Sequence, residues 1–296
     1  MPTSSLAPAG LNAARTRKPW TTAHGFRLLL LLPCAFLALF FLWPLLSVIL
    51  RSVSEPTWGF SNYRYLLSEG PYLKVIWITI QTAFTVTVVC LLVAYPTAYF
   101  IARARGSVAR ICYALILIPL WTSVIIRTYA WIVLFQRQGV LNGLLQWSGI
   151  ADGPIQLIPS ALAVHIGMVH ILLPFMLLPI LASMRGMDRT LLRAGEVLGA
   201  NPFQLFFRVF MPLTLPGVSA GVSLVFITAL GFFVTPALLG GPQHMMAAVL
   251  IEQQAMQYLN WPLAATLATA LLLVTSSLYL MYARLMQRPD LAIGRG

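Results

Sequence analysis

The sequence predicts an all-α membrane protein with six transmembrane helices. Hydrophobic residues make up 59% of the 296 residues and charged residues only 9%, and the mean hydropathy is +0.84. Such a chain has too little polar surface to cover a water-soluble globule of its size. Six apolar runs reach the roughly 20 residues that a helix needs to cross a hydrocarbon core, whereas barrel strands would be about half as long. These runs are Leu28–Leu50, Val75–Ala102, Ile111–Phe135, Ser160–Ala182, Val218–Leu239 and Pro262–Ala283.

The first apolar run follows a basic segment, as the core of a secretory signal also does. Leu28–Leu50 is longer than the about 7 to 15 residues of a signal core and lacks a small-residue cleavage site, so we expect a retained helix. Residues 1–25 show no apolar periodicity and are predicted to be a mobile cytoplasmic tail. The sequence thus predicts one transmembrane domain over residues 26–285, followed by a second cytoplasmic tail at 286–296.

The basic residues orient the predicted bundle. Of 19 Lys and Arg residues, 14 fall on one side, and the net charge is +12. The positive-inside rule places that side, with both termini and the segment Leu191–Gly217, in the cytoplasm. Topology and contact with anionic lipid head groups therefore account for the charge, and we expect no binding of nucleic acid. The 14 residues are Arg15, Arg17, Lys18, Arg27, Arg103, Arg105, Arg110, Arg185, Arg189, Arg193, Arg208, Arg284, Arg288 and Arg295.

The two long loops on the other side, 51–74 and 136–159, are rich in aromatic residues, Gly and Pro. Trp and Tyr prefer the head-group layer of a bilayer. We therefore expect both loops to be partly helical segments at the membrane interface.

The chain carries none of the common motifs for nucleotide binding or hydrolysis. It contains no GxxxxGK[ST], HExxH, GxSxG or CxxC pattern. His165 and His170 are five residues apart, about 140° around a helix, so they do not share one face and we expect them to pack between helices. The sequence predicts no enzyme, no bound cofactor and no metal site, and any energy source must be another subunit.

The segment Leu191–Gly217 is a polar, helical insert of 27 residues between apolar spans. Asp188 or Thr190 can cap a short helix over Leu191–Leu198, which Gly199 can end. Asn201, Pro202 and Gln204 then form a capping-box signal for a second helix. We call this amphipathic two-helix segment, Leu191–Pro202, the elbow. It could lie flat on the lipid or fill a groove on a partner, and the physical pattern favours neither.

Three stretches resemble a known family. The run from Arg193 to Ala200, RAGEVLGA, with Arg208-Val209 and the run LTLPG at 213–217, resembles the cytoplasmic EAA loop of binding-protein-dependent ABC importer permeases, whose pattern is EAAxxLGA followed by a hydrophobic-rich LP. The runs at 119–131 and 233–241 resemble the spermidine/putrescine branch of that family. The resemblance covers roughly residues 60–285 and implies the type I ABC importer permease fold.

In that family the EAA loop, here about residues 184–213, carries a coupling helix that docks in a cleft of the ATPase. The resemblance assigns ATPase coupling to eight residues of this chain: Arg193, Ala194, Gly195, Glu196, Leu198, Gly199, Ala200 and Pro202. The chain departs from the pattern because Arg193 replaces the family's Glu, Gly195 replaces its second Ala, and Glu196 lies three positions late. The docking shape is kept, but any ion pair of that glutamate is not, and Arg193 could pair with an acidic residue of the ATPase instead.

The second predicted site is a substrate pathway or outer gate around Trp121, Arg127, Tyr129, Trp131 and Thr235. Arg127 lies 17 residues past Arg110, hence about 25 Å along the third span and near its outer end. A charge at that depth marks a pathway or gate, unless it snorkels to the outer head groups.

Glu252 extends this candidate pathway. It is the only acidic residue between spans five and six, and it precedes Tyr258 and Trp261. A carboxylate and aromatic faces suit a cationic amine, although a solvated loop residue would leave the same pattern.

The resemblance implies a permease subunit of an ABC importer in a bacterial inner membrane, with a polyamine or related amine as solute. Its partners would be an ATPase dimer that holds ATP and Mg, a periplasmic solute-binding protein, and a second, homologous permease, favoured over a copy of this chain. A self-sufficient channel or ion-coupled carrier should show several ionisable residues inside its spans or inverted repeats, and the spans offer only Arg127 and two histidines. A membrane scaffold would fit the elbow but not the Pro-bent, Gly-rich fifth span.

Overall fold

The structure is a computed structural model that describes residues 31–68 and 70–286. The predicted tails at 1–25 and 286–296 lie outside the described residues, except for Met286. Within the described part of the chain all regular structure is helical, which confirms the predicted fold class. The helices are α1 Leu31–Ser54, α2 Ser61–Ser68, α3 Gly70–Arg103, α4 Gly106–Leu117, α5 Val124–Phe135, α6 Val140–Trp147, α7 Ala161–Gly186, α8 Arg189–Val197, α9 Pro202–Leu230, α10 Val234–Leu239, α11 Ala247–Glu252 and α12 Trp261–Met286.

Five of the described helices are long and apolar enough to cross a membrane, namely α1, α3, α7, α9 and α12. The pair formed by Gly106–Trp121 and Val124–Trp147 makes a sixth crossing if it is counted as one broken span. The chain divides into two compact units at residues 50 and 51. The described part of the first unit is helical throughout and belongs to α1, with a π-helical turn at Ala38–Leu42.

The core of the second unit lies between α3, α7 and α9, which pack against one another. Small residues permit the close approach of α7 and α9: a Cβ added at Gly221 would lie 2.9 Å from the carbonyl oxygen of Met176, and one added at Gly217 would lie 2.7 Å from that of Pro179. Gly217 and Gly221 form a Gly-x-x-x-Gly pair, a spacing that lets two helices pack closely. Aromatic edges join α3 to α9, since the Tyr99 ring lies 5.2 Å from the Phe210 ring.

The predicted third span, Ile111–Phe135, is not one continuous helix. A turn of 3₁₀ helix at Ile118–Trp121 follows α4, the backbone is extended at Thr122, and the two helical segments meet at 101°. Pro119 cannot donate to the helical ladder, and the hydroxyl of Thr122 donates to the Pro119 carbonyl at 2.8 Å, which supplies a local alternative to helix. The estimate of Arg127 about 25 Å along one continuous helix is therefore also wrong, because the break separates it from Arg110.

The fifth span also differs from the predicted Val218–Leu239. It begins at Pro202, so the second arm of the elbow continues directly into the span through a π-helical turn at Phe206–Phe210. Packing of Phe206 and Phe210 on Tyr99 keeps this stretch helical and partly buried. The span ends at Leu230, and a three-residue link leads to the separate short helix α10.

The loops on the side opposite the elbow contain the expected short helices. The segments 51–74 and 136–159 include α2 and α6, which confirms that they are partly helical. Between α9 and α12 the chain forms α10 and α11, and the Ala247 amide of α11 donates to the Thr79 hydroxyl of α3 at 2.8 Å in a buried hydrogen bond. This bond fixes α11 on α3.

Candidate coupling surface and outer gate

The first arm of the elbow is α8, which starts two residues before the predicted Leu191. Asp188 is its N-cap: the side-chain oxygen accepts from the Thr190 amide at 2.8 Å. Hydrogen bonds from Thr190 to the charged carboxylate lower the pKa of Asp188 below its ordinary value. Of the two predicted caps, the structure selects Asp188.

The elbow breaks at Gly199, as predicted. Gly199 has φ +81°, in the left-handed region, while the amides of Leu198, Gly199 and Ala200 donate to the carbonyls of Ala194, Glu196 and Gly195 at 3.0–3.1 Å. These bonds satisfy the last carbonyls of α8 in the manner of a glycine-terminated helix. Nothing lies within 4 Å of a Cβ added at Gly199, so only the backbone conformation demands glycine here.

The second arm of the elbow is the start of α9, Pro202–Leu205, which extends past the predicted bound of Pro202, and it begins with the predicted capping box. The Gln204 amide donates to the Asn201 side chain at 2.8 Å, and the Asn201 amide donates to the Gln204 side chain at 3.1 Å. The two arms touch where Gly195 faces the buried Leu205, because a Cβ at Gly195 would come within 2.5 Å of a Leu205 methyl group. Gly195 therefore lets the arms fold tightly together.

The outer side of the elbow is apolar and uncovered. Val197 and Leu198 are each 87% exposed, and Phe203 on the second arm is 71% exposed. Of the eight residues predicted for ATPase coupling, Gly195 and Ala200 are partly buried and the other six are exposed. The caps and the glycine break thus leave three apolar side chains exposed at the start of α9. We call Val197, Leu198 and Phe203 the apolar knob.

A second cluster of side chains joins the helices α5, α7 and α10, and we call it the gate cluster. It consists of Arg127, Thr128, Trp131, His170 and Thr235. The hydroxyls of Thr128 in α5 and Thr235 in α10 are 3.1 Å apart and buried. The Trp131 ring nitrogen donates to Nδ1 of His170 in α7 at 3.2 Å.

The gate cluster depends on close packing between α7 and α10. A Cβ at Gly167 would lie 2.7 Å from the Thr235 methyl group and 2.9 Å from a Leu239 methyl group. Any larger residue at this position would push α10 away from α7. The short helix α10 is thus held between α5 and α7.

Arg127 lies one turn before Trp131 on α5. Two of its nitrogens, Nε and Nη1, are buried without a hydrogen-bond partner among the described residues. A guanidinium that lacks acceptors in an apolar span is costly, so it normally faces a partner, water or a pathway. Its position beside the Trp131–His170 contact keeps Arg127 a candidate gate residue.

The other predicted pathway residues do not join this cluster. Trp121, at the bend, is 90% exposed and Tyr129 is 55% exposed. Glu252 ends α11, and within the described residues no hydrogen bond, ion pair or ring contact joins it to the gate cluster. The structure therefore brings together Arg127, Trp131 and Thr235, and among the described residues it shows no hydrogen bond, ion pair or ring contact from Trp121, Tyr129 or Glu252 to them.

Sequence reasoning did not assign Thr128, Gly167 or His170 to the gate. Thr128 lies next to Arg127, inside the stretch that carries the family resemblance, and this position in the sequence could have indicated that it belongs to the gate. His170 was expected only to pack between helices, and it does contact α5. Nothing in the sequence around Gly167 indicates its role, because it packs against a helix about 70 residues later in the chain.

The family comparison matches residues 91–290 to the family described as "Binding-protein-dependent transport system inner membrane component". The chain is 36% identical over 223 residues to the spermidine/putrescine transport system permease protein PotB of Escherichia coli (strain K12), covering 75% of this chain and 81% of PotB. It is 32% identical over 241 residues to the inner membrane ABC transporter permease protein YdcU of the same organism, covering 77% and 76%. It is 28% identical over 242 residues to the molybdenum transport system permease protein ModB of Mycobacterium bovis, covering 80% and 86%.

Solved structures show the same fold. A chain of a bacterial ABC transporter involved in the import of the acidic polysaccharide alginate superposes with a TM-score of 0.70 at 16% identity, covering 93% of this chain and 98% of that chain. A second structure, of the alginate ABC transporter in complex with alginate pentasaccharide-bound periplasmic protein, gives 0.70 at 18% identity, covering 91% and 97%. Since the family model matches about two thirds of the sequence and PotB exceeds 30% identity over three quarters of it, this chain belongs to the family of binding-protein-dependent transport system inner membrane components.

Proposed function

We propose that this chain is a permease subunit of an ATP-driven importer of the bacterial inner membrane, and that it translocates a small amine such as spermidine or putrescine. The observation that carries the proposal is the 36% identity to a spermidine/putrescine permease along three quarters of the chain. The amine class rests on the relatives described as spermidine/putrescine permeases, because the alginate and molybdenum systems have different solutes.

The proposal includes three kinds of partner. An ATPase dimer that binds ATP and Mg would supply energy, since this sequence has no phosphate-binding loop. A second, related permease would complete the pathway, and a periplasmic binding protein would deliver the solute. Support for the ATPase comes from the exposed apolar residues of the elbow, Val197, Leu198 and Phe203. An exposed apolar helix face of this kind can bind in a hydrophobic groove of a partner protein.

The same elbow supports the proposed orientation and domain arrangement. The transmembrane domain would comprise residues 26–285, the coupling loop about 184–213, and both tails, 1–25 and 286–296, would lie in the cytoplasm. Arg185, Arg193 and Arg208 lie in or beside the coupling loop. A cytoplasmic position of this loop agrees with the positive-inside rule.

The geometry suggests how motion would reach the gate. Because α9 is continuous from Pro202 to Leu230, it is a rod of 29 residues, about 43 Å long at 1.5 Å per residue, with the elbow at one end. At its other end the three residues 231–233 lead to α10, whose Thr235 bonds to Thr128. Closure of the ATPases on bound ATP would shift the elbow, tilt α9 against α3 and α7, and break or form the contacts of α10 with α5.

Transport by the purified complex in proteoliposomes tests the proposal. The complex of both permeases and the ATPase is reconstituted, and spermidine uptake is measured with the binding protein and ATP on their respective sides. We expect uptake that requires ATP, Mg and the binding protein, that resists a protonophore, and that putrescine inhibits while a neutral amino acid does not. Uptake by the permeases alone, driven by an ion gradient, would refute the ATP-driven function, and ATP-driven uptake of a different solute only would refute the amine.

A further inference from the structure

A recess beside the elbow carries an excess of positive charge. It has a volume of about 370 Å³ and lies between the end of α3, the end of α7, α8 and the start of α9. Its walls include the apolar residues Met184, Met187, Leu192 and Phe210. The charged residues that line it are Arg103, Arg105, Arg193 and Glu196, three positive groups and one negative group.

These charges are not neutralised within the described chain. Among the described residues the ion pair found is Arg51 with Glu55, far along the sequence from the recess. Arg193 and Glu196 are one turn apart on α8 but form no ion pair there, and Arg103, Arg105 and Arg193 are all exposed. Uncompensated charges of one sign around a concave surface attract a ligand of the opposite sign.

One of the three guanidinium groups is held in place. Arg103 lies over the Tyr99 ring, with its guanidinium carbon 4.3 Å from the ring centre. Tyr99 is itself packed edge-on against Phe206 and Phe210 of α9. This stacking orients the planar donor group before any ligand arrives, which lowers the entropy lost on binding.

The composition of the recess favours a protein side chain over an anionic phospholipid head group. A phosphate group offers only acceptors, so an anionic head group without an ammonium would leave the Glu196 carboxylate without a cationic partner. A protein surface can present an acidic side chain to the arginines together with a nearby donor for Glu196. Val197 and Leu198, which are exposed, follow Glu196 directly in the chain, so one partner could cover these apolar residues and the charged recess together.

We propose that this recess receives an acidic side chain, Asp or Glu, of the ATPase subunit, and that Arg193 is its principal ligand with Arg103 and Arg105 as further ligands. The inference rests on the proposed function, in which the ATPase docks on the elbow. It assigns the electrostatic polarity of that interface: the permease supplies the guanidinium and the ATPase the carboxylate. A guanidinium can bind a carboxylate through two parallel hydrogen bonds, so the pair would fix the rotation of the elbow in the ATPase groove.

Binding of the purified ATPase to the permease complex in nanodiscs tests the inference. The variants are Arg193→Glu, Arg193→Gln and Arg193→Lys, and the matched control is Arg110→Gln, an exposed arginine of α4 outside the recess. We expect Arg193→Glu to weaken binding by about tenfold or more, Arg193→Gln by less, Arg193→Lys least, and Arg110→Gln by less than about twofold. Raising NaCl from about 50 to about 500 mM should weaken binding of the unsubstituted complex more than that of Arg193→Gln.

A suppressor selection identifies the partner group. Cells that depend on uptake through Arg193→Glu are selected for restored growth, and the ATPase gene is sequenced. We expect substitutions of one Asp or Glu of the ATPase to Lys or Arg. Unchanged ATPase binding by Arg193→Glu would overturn the inference, and so would loss of copurified anionic lipid from Arg193→Glu with normal ATPase binding, since the recess would then be a lipid site.

A second variant separates this inference from the proposed function. Leu198→Asp places a charge on the apolar knob without touching the recess. If Leu198→Asp abolishes ATPase binding while Arg193→Glu does not, the ATPase docks on the elbow but the ion pair is absent. If neither variant changes binding, docking on the elbow is refuted as well.

Discussion

The break at Gly199 allows a prediction that isolates backbone conformation from packing. Gly199 has φ +81°, and a Cβ at this position would meet nothing within 4 Å. An added Cβ therefore introduces no clash with another part of the protein, and its main effect is strain in the turn between the two arms of the elbow. The variants Gly199→Asn, Gly199→Ala and Gly199→Val form a graded series.

The magnitude follows from the left-handed conformation. A non-glycine residue there costs about 1–2 kcal/mol; Asn tolerates it best and a β-branched residue worst. A cost of this size changes the ratio of the strained to the relaxed turn by a factor of about 5 to 30. We therefore expect a weak effect of Gly199→Asn, about fivefold weaker coupling for Gly199→Ala, and the largest loss for Gly199→Val.

The assay is ATP hydrolysis by the reconstituted complex, with and without loaded binding protein. Binding-protein stimulation should fall in the order Asn, Ala, Val, while the unfolding midpoint of each complex stays close to that of the unsubstituted protein. The reasoning is refuted if Gly199→Val couples as well as glycine, or if Gly199→Asn is as damaging as Gly199→Val.

Three further predictions concern packing and capping. Thr79→Val should lower stability by about 1–3 kcal/mol, because the buried Ala247 amide loses its acceptor; an unchanged unfolding midpoint in detergent would contradict this. Gly217→Ala should cost about 1–3 kcal/mol by pressing a Cβ onto the α7 backbone, whereas Gly143→Ala, in open space, should not; equal midpoints for the two variants would show that α7 and α9 are not closely packed. The Asp188 cap has a pKa below its ordinary 3.8, so its stabilisation of α8 should be present above that pH and be lost as pH falls through the lowered pKa. Amide exchange over 189–197 should show that loss in the unsubstituted chain and not in Asp188→Asn, which keeps an uncharged acceptor; the same pH dependence in both would contradict the role of the charge.

Local signals predicted the elbow well. The cap at Asp188, the glycine at 199 and the box of Asn201 with Gln204 each depend on residues within about one helical turn, so the sequence contains the whole interaction. Hydropathy likewise predicted the apolar spans, because burial in lipid depends on composition over about 20 residues.

Interactions between distant residues decided what the sequence did not predict. The break after Trp121 lies inside an apolar run, where hydropathy alone reads a continuous helix, although Pro119 and Thr122 supply the local cause. The pairing of Thr128 with Thr235 joins residues 107 apart, and no periodicity within either helix indicates it. Glu252 is a predicted pathway residue on chemical grounds, and among the described residues no hydrogen bond, ion pair or ring contact joins it to the gate cluster; it lies where α11 passes into a π-helical turn at Gln253–Gln257.

The central claim is that the apolar side of the elbow docks on an ATPase and does not lie on lipid. The most direct measurement is cross-linking from Leu198→Cys, in a background where Cys34, Cys90 and Cys112 are replaced, with a short bifunctional reagent in membranes that contain the ATPase. We predict a product of this chain with the ATPase subunit, and protection of the thiol from a lipid-soluble maleimide when the ATPase is present. Labelling by the lipid-soluble reagent that the ATPase leaves unchanged, with no cross-linked product, would contradict the account.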